Sequence, residues 1–345
     1  MINVNFTFTP LKELWLGNCY PENFYDHLPN EIADPFKQIT QWTREDLSNL
    51  QTWLEGRGII VRRPEFNSID QYLDANDQLV KPPVTPRDDY LVLNDTLHVV
   101  HQPHCKHNAW QHCLDNYQQQ GQKIVYHKNN VVTAINPPSI VKVGRDIYVD
   151  TVSHNAFEGH WRQVCEWMVE LGRDYRVNVC DTAGHSDAVF GVVSPQQIIT
   201  SHYKTDYSQS FPGWNIHRVP QKAPTLGSIE HPSWTVFNTP HINQNKFFSD
   251  YIVQNASSWV GNYSETVTEV NVLCVDPKNV VLMTENPIAI KQLESVGITV
   301  HVFPLRTWSF WDGGWSCFTL DVHREDTKED LFPERGENGV YWRLK

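Results

Sequence analysis

A single unit recurs along the chain, and no other feature limits the fold so strongly. Two short β-rich runs flank a turn, an amphipathic stretch follows, and a further β-rich run completes the unit. The first copy spans Asp89–Val100 with its turn at Asn94-Asp95, a helix near Asn108–Gln119 and a strand over Lys123–His127. The second runs through Val131–Thr151, a helix over Ala156–Leu171 and a strand over Arg176–Asp181. A third covers Ala188–Ser201 and ends near Trp214–Val219, with a weaker helix between. The fourth joins Val270–Met283 to a helix over Pro287–Val296 and a strand over Thr299–Phe303. A fifth is split between the termini: Cys317–Val322 is completed by Glu13–Gly17, a helix over Arg44–Arg57 and a strand over Gly58–Arg63.

Turn-forming residues between β-branched runs support the hairpins. The helical stretches carry apolar residues three and four apart; Trp161, Val164, Cys165, Met168 and Leu171 make one face. Five ββα-type units with the last shared by both termini predict a closed, pseudo-fivefold α/β ring, one domain over residues 1–345. Periodicity alone fits an ordinary mixed α/β domain equally well. Residues 203–260 read as a long Pro- and Trp-rich loop, and loops of that length commonly carry specificity.

Charge narrows the partners. The net charge of −12 comes without a run of lysines or arginines, which argues against nucleic acid or an anionic membrane surface. A small cationic substrate in a carboxylate-lined cleft remains compatible with it. Seven cysteines scattered without a framework spacing point to a reducing compartment. The first residues lack a basic and then apolar leader pattern, and no apolar stretch approaches a membrane span, so a cytoplasmic protein is expected.

Polar groups of catalytic type recur at the hairpins. Asp88 precedes Tyr90-Leu91-Val92, Asp146 lies in Gly144-Arg145-Asp146, and His185 and Asp187 precede Val189-Phe190. Ser264 precedes the fourth hairpin, and Cys317 opens the fifth after Gly313-Gly314. Glycines there allow positive φ and close approach. In a ring, one thiol, one imidazole, three carboxylates and a hydroxyl would converge at one end. Carboxylates can hold a guanidinium in bidentate fashion while a thiol attacks its electron-poor carbon and a histidine moves protons. Taken singly, each piece has a plainer reading: a buried cysteine after a turn, a surface His-x-Asp pair, a solvated Arg145–Asp146 pair.

Taken together, Gly144-Arg145-Asp146-Ile147-Tyr148, Gly184-His185-Ser186-Asp187-Ala188 and Gly313-Gly314-Trp315-Ser316-Cys317 resemble the signature segments of the arginine:glycine amidinotransferase family, part of the guanidino-modifying (pentein) superfamily of five-bladed α/β propellers. Gly58–Pro64, Thr85-Pro86-Arg87-Asp88 and Val272–Asp276 extend the similarity from about residue 10 to 325. The resemblance implies transfer of an amidino group from L-arginine to an amine acceptor with release of L-ornithine, guanidinoacetate being the product when glycine is the acceptor. Cys317 would be the nucleophile, His185 the general acid and base, and Asp146 its orienting carboxylate. Asp88 and Asp187 would grip the guanidinium, and Ser264 would help bind substrate. Lys204 falls where the family has an arginine for the donor carboxylate. Gly184 replaces a methionine of the glycine-using enzymes, which would admit a larger acceptor. Trp315 is expected to line the site. Neither cofactor nor metal is implied, and a homodimer is left open. A hydrolase or deiminase of the same superfamily would use the same thiol, histidine and carboxylates, with water as the acceptor.

Two other features carry weaker chemistry. His98, His101, His104, Cys105, His107, His112 and Cys113 form a His- and Cys-rich patch whose spacings match no familiar zinc motif. Arg324–Arg335 reads as a charge-rich solvated stretch.

Overall fold

The computed structural model describes residues 1–66, 80–100, 108–127, 136–150, 161–180, 185–201, 207–220, 236, 239–257, 259–260 and 270–342. Among them five small sheets form, each an antiparallel hairpin extended by a parallel strand. In the first unit Tyr90–Leu93 pairs with Thr96–Val99, which pairs in parallel with Lys123–Tyr126. Ile140–Val143, Asp146–Asp150 and Arg176–Cys180 make the second, and Phe190–Ser194, Gln197–Ser201 and Asn215–Val219 the third. Leu273–Asp276, Asn279–Leu282 and Thr299–Val302 make the fourth. The split unit forms as expected: Thr319–Arg324 pairs with Leu11–Leu16, and that with Ile60–Arg62. The result is a mixed α/β fold.

The first strand of the first, second and fifth units is buried almost throughout; Tyr90–Leu93 accordingly reads as an apolar run, whereas Thr319–Arg324 buries Asp321 and Arg324 as an ion pair. Helices Gln111–Gln119, Trp161–Leu171, Pro287–Glu294 and Asn30–Glu55 connect the hairpins to their parallel strands. The last of these starts well before the expected Arg44. Pro35 argues against a helix there, because it removes an N–H and leaves the Glu31 carbonyl without its intrahelical donor. Asn245 supplies one: its Nδ2 donates to the Glu31 carbonyl at 2.7 Å. Asn245 caps the helix Lys246–Asn255, whose Phe248 packs edge-on against Phe36. That helix lies inside the 203–260 segment read as irregular, which therefore holds regular structure.

The second sheet gains a fourth strand, Gly339–Trp342, parallel to Arg176–Cys180. The segment leading to it is solvated only in part: Glu325, Lys328, Glu329 and Glu334 are exposed, but other charged groups are engaged. Asp326 accepts from the Asn5 and Phe6 amides, Asp330 pairs with Arg145 and Arg176, and Arg335 donates to Asp146 at 2.9 Å. The N-terminal residues Asn3–Thr7 tie four units together near the hairpin-turn end, bonding Val322, Asn94, Gly144 and Val192 in order.

Candidate active site

At the opposite end, a short turn precedes each hairpin and carries the polar groups. Pro86–Asp89 presents Asp88, and Ser186–Val189 follows His185 and includes Asp187. The turn Pro137–Ser139 packs against both; Ser186 Oγ donates to the Ser139 carbonyl at 3.2 Å. Asn271 and Cys317 stand at the start of the fourth and fifth hairpins.

The nucleophile turn is locked from three sides. Arg87 Nε donates to the Ser316 carbonyl at 2.7 Å, and its Nη2 reaches Asp321 at 3.2 Å, tying the Asp88 turn to the Cys317 turn. Ser316 Oγ donates to Asp187 Oδ2 at 2.9 Å. Asn271 Nδ2 lies 3.1 Å from Cys317 Sγ while its Oδ1 accepts the Cys317 amide at 3.2 Å. The glycine pair serves close approach rather than positive φ. A Cβ on Gly313 would lie 2.8 Å from Cys317 Cβ, and one on Gly314 would lie 2.7 Å from Asn271 Oδ1. The left-handed residue is instead Asp312, at φ 58° and ψ 66°.

Cys317 is buried, and its Sγ lies 3.8 Å from Asp187 Oδ2. Burial raises the thiol pKa well above the ordinary cysteine value; the charges of Asp187 and Asp88 add to this, and the Asn271 amide opposes it. Asp187 is itself raised by burial, against the pull of His185, Arg87 and Ser316. Its Oδ1 is buried with no hydrogen-bond partner among the described residues. A desolvated carboxylate oxygen without a donor beside a thiol is a place for a cationic N–H.

The structure thus gathers Cys317, Asp187, Asp88 and His185. It does not bring Asp146 to them. Gly144-Arg145 is the turn of the second hairpin, with Gly144 at φ 66°, so Asp146 opens the return strand at the far end. Its oxygens accept from Arg176 at 2.7 Å, Arg335 at 2.9 Å and Asn178 at 2.9 Å. The expected Asp146–His185 pairing is replaced by this structural ion cluster. Trp315 is fully buried, its indole N–H donating to the Phe303 carbonyl at 2.9 Å, so it supports the turn from the core. Gly184, Lys204 and Ser264 lie outside the described residues, as do His101, His104, Cys105 and His107. Of the His- and Cys-rich patch, His98 pairs with His127 at 3.0 Å.

Four residues escaped the sequence reading. Arg87 stands inside the Thr85–Asp88 segment, and Asn271 opens the fourth hairpin, where Ser264 is the expected residue. Asn136 precedes Pro137 as Thr85 precedes Pro86, which places it at the start of the second hairpin in the position His185 holds in the third. Asp312 adjoins the glycine pair. The repeat register, applied strictly, marks the first three.

No family model matches the chain. Among curated proteins, the mitochondrial glycine amidinotransferase of Gallus gallus is 24% identical over 200 residues, covering 56% of this chain and 39% of that protein. The Xenopus laevis enzyme is 23% identical over 197 residues with the same coverage. The matched region therefore spans well under half the length of these relatives. Among solved structures, SxtG, an amidinotransferase of Microseira wollei in the saxitoxin biosynthetic pathway, aligns with TM-score 0.68 at 18% identity over 96% of this chain and 99% of its own. The inosamine-phosphate amidinotransferase of Streptomyces griseus gives 0.69 at 16% identity over 95% and 98%. A dimethylarginine dimethylaminohydrolase gives 0.54 at 12% identity over 90% and 99%. The chain is thus similar in sequence to glycine amidinotransferases over part of their length and shares its fold with amidinotransferases and a dimethylarginine dimethylaminohydrolase.

Proposed function

We propose that this chain is a single-domain, five-bladed α/β propeller that transfers an amidino group from L-arginine to an amine through Cys317. The observation that carries the reading is the buried Asp187 Oδ1, without a hydrogen-bond partner among the described residues, beside the Cys317 thiol, with Asp88 as a second carboxylate. A guanidinium held there is gripped by both carboxylates and offsets part of their negative charge. The thiol passes its proton to His185, and the thiolate attacks the guanidinium carbon to form a C–S bond. His185 protonates the departing amine, the C–N bond breaks, and L-ornithine leaves an amidino group on Cys317. The acceptor amine, deprotonated by His185, then forms a new C–N bond as the C–S bond breaks. The thiolate is thereby returned. Asn271 steadies the sulfur in both steps.

Lys204 is assigned to the donor carboxylate, Ser264 to substrate binding and Gly184 to the room for an acceptor larger than glycine. Neither a metal nor a cofactor enters these steps. Among the described residues every cysteine is free, in keeping with a reducing compartment such as the cytoplasm; the curated relatives are named mitochondrial. No described helix is long and apolar enough to cross a membrane.

A hydrolase would use the same groups with water as acceptor. The transferase folds superpose better, at TM-scores of 0.68 and 0.69 against 0.54, which favours transfer. The test is product analysis by mass spectrometry with L-arginine, alone and with a panel of amines. Ornithine with an amidinated amine supports transfer. Citrulline, or ornithine with urea, formed at the same rate with and without amines, contradicts it.

A further inference from the structure

Asp312 takes a left-handed conformation at the end of the short helix Trp308–Trp311. Only three non-glycine residues among those described have positive φ, and the other two, Asn94 and Gln196, sit in tight hairpin turns. A left-handed conformation is strained for residues with a Cβ, though aspartate tolerates it better than most. Such strain concentrates where a side chain must be aimed. Asp312 directly precedes Gly313, whose Cβ position lies 3.4 Å from Cys317 Sγ.

Its surroundings are those of the site. Burial raises the Asp312 pKa, the charges of Lys81 and His185 oppose the rise, and Asp88 adds to it. Lys81 is anchored by its Nζ, which donates to the Trp311 carbonyl at 3.3 Å, and retains two further N–H donors. Yet Lys81 and Asp312 do not form an ion pair, and the Asp312 carboxylate makes no hydrogen bond among the described residues. Two opposite charges near one another and unpaired match the carboxylate and ammonium that arginine carries on one carbon. Asp312 is the residue next to Gly313 on the same turn, one Cα–Cα step of about 3.8 Å away. The guanidinium and α-carbon of an extended arginine stand roughly 6 Å apart across five bonds of ordinary length.

We propose that Asp312 and Lys81 form a clamp for the α-amino-acid end of the donor, Asp312 taking the ammonium and Lys81 the carboxylate. The clamp rests on the reading of Cys317 as the reacting thiol. It places donor recognition on the Cys317 turn itself, beside or instead of Lys204. Asp312 is thus a specificity-determining residue, touching the substrate far from the bond that breaks.

The test is calorimetric binding of three probes to the Cys317→Ser protein: L-arginine, 5-guanidinopentanoate without the ammonium, and agmatine without the carboxylate. Each deletion should weaken binding by about tenfold or more, the worth of one charge-assisted hydrogen bond. Asp312→Asn keeps the left-handed backbone tolerable and should erase only the preference over 5-guanidinopentanoate. Lys81→Met should erase only the preference over agmatine. Unchanged preferences in both variants, or an equal loss for all three probes, overturn the clamp. Amidination of Cys317 in the wild-type protein is followed in parallel. Amidination without head-group preference sinks the clamp alone, whereas preference without amidination sinks the transfer reading alone.

Discussion

Asn271 holds Cys317 at two points: Nδ2 lies 3.1 Å from Sγ, and Oδ1 accepts the Cys317 amide at 3.2 Å. One side chain thus fixes both the sulfur and the backbone that carries it. Gly314 permits this, because any Cβ there would strike the Asn271 amide oxygen. Asn271→Ala should lower kcat/KM for donor consumption by about 10- to 100-fold, the worth of a hydrogen bond to a charged sulfur. Steady-state ornithine release measures it. Wild-type rates in a folded Asn271→Ala protein would remove the residue from the reaction.

The charge around the thiol sets a second expectation. Asp187 and Asp88 reinforce the burial that raises the Cys317 pKa, so the free enzyme holds a protonated thiol at neutral pH. Alkylation by neutral iodoacetamide should be slow at pH 7 and climb only above the ordinary cysteine range. Asp187→Asn removes a negative charge that disfavours the thiolate, and the profile should shift to lower pH. A cationic haloacetamidine should react faster than iodoacetamide with the wild type and lose that advantage in Asp187→Asn. An unshifted profile would show that Asp187 does not face the sulfur.

Asp146 gives a prediction of the opposite kind. Its carboxylate is fully buried between Arg176 and Arg335, so Asp146→Asn leaves buried guanidinium charge uncompensated. That should cost about 3–5 kcal/mol of stability. Specific activity of the folded protein should be unchanged, in contrast to His185→Asn. Urea unfolding and activity on the same samples separate the effects. A large fall in kcat without loss of stability would return Asp146 to the reaction.

Lys142 lies buried in the first strand of the second unit, its Nζ donating to the Val92 carbonyl at 3.2 Å. Burial pulls its pKa down to about 7, with Asp321 opposing and Arg87 and Arg324 assisting. Between pH about 7 and the usual lysine range the unfolded chain then binds more protons, so stability rises with pH across that window. Lys142→Met should stabilise the protein by roughly 1–4 kcal/mol at pH 6.5. The gain should shrink by pH 9, where the wild-type amine is neutral. Urea midpoints at the two pH values check it, and a gain independent of pH would contradict the charge argument.

What was legible in the sequence was local. The hairpins followed from turn residues between β-branched runs, and the split fifth unit from counting those runs. Cys317, His185, Asp88 and Asp187 were found because each adjoins such a run. The errors came from long-range compensation. Pro35 hid the start of the long helix, since its missing donor is replaced by Asn245 from a distant segment. Arg324–Arg335 looked wholly solvated because its partners, Asn5, Asp146 and Arg176, lie far away in the chain. Asp146 was misplaced by one strand of the hairpin: Gly144-Arg145 is the hairpin turn, so the residue after it lies at the wrong end for the thiol. Asp312 was invisible for another reason, because nothing in composition marks a strained aspartate beside two glycines.

The most direct measurement is peptide mapping by mass spectrometry after quenching the wild-type protein with L-arginine and no acceptor. The account predicts an amidino group on the Cys317 peptide, one equivalent of ornithine released with it, and loss of the adduct on adding a competent amine. Turnover retained in a folded Cys317→Ala protein, or the amidino group found on another residue, would contradict it.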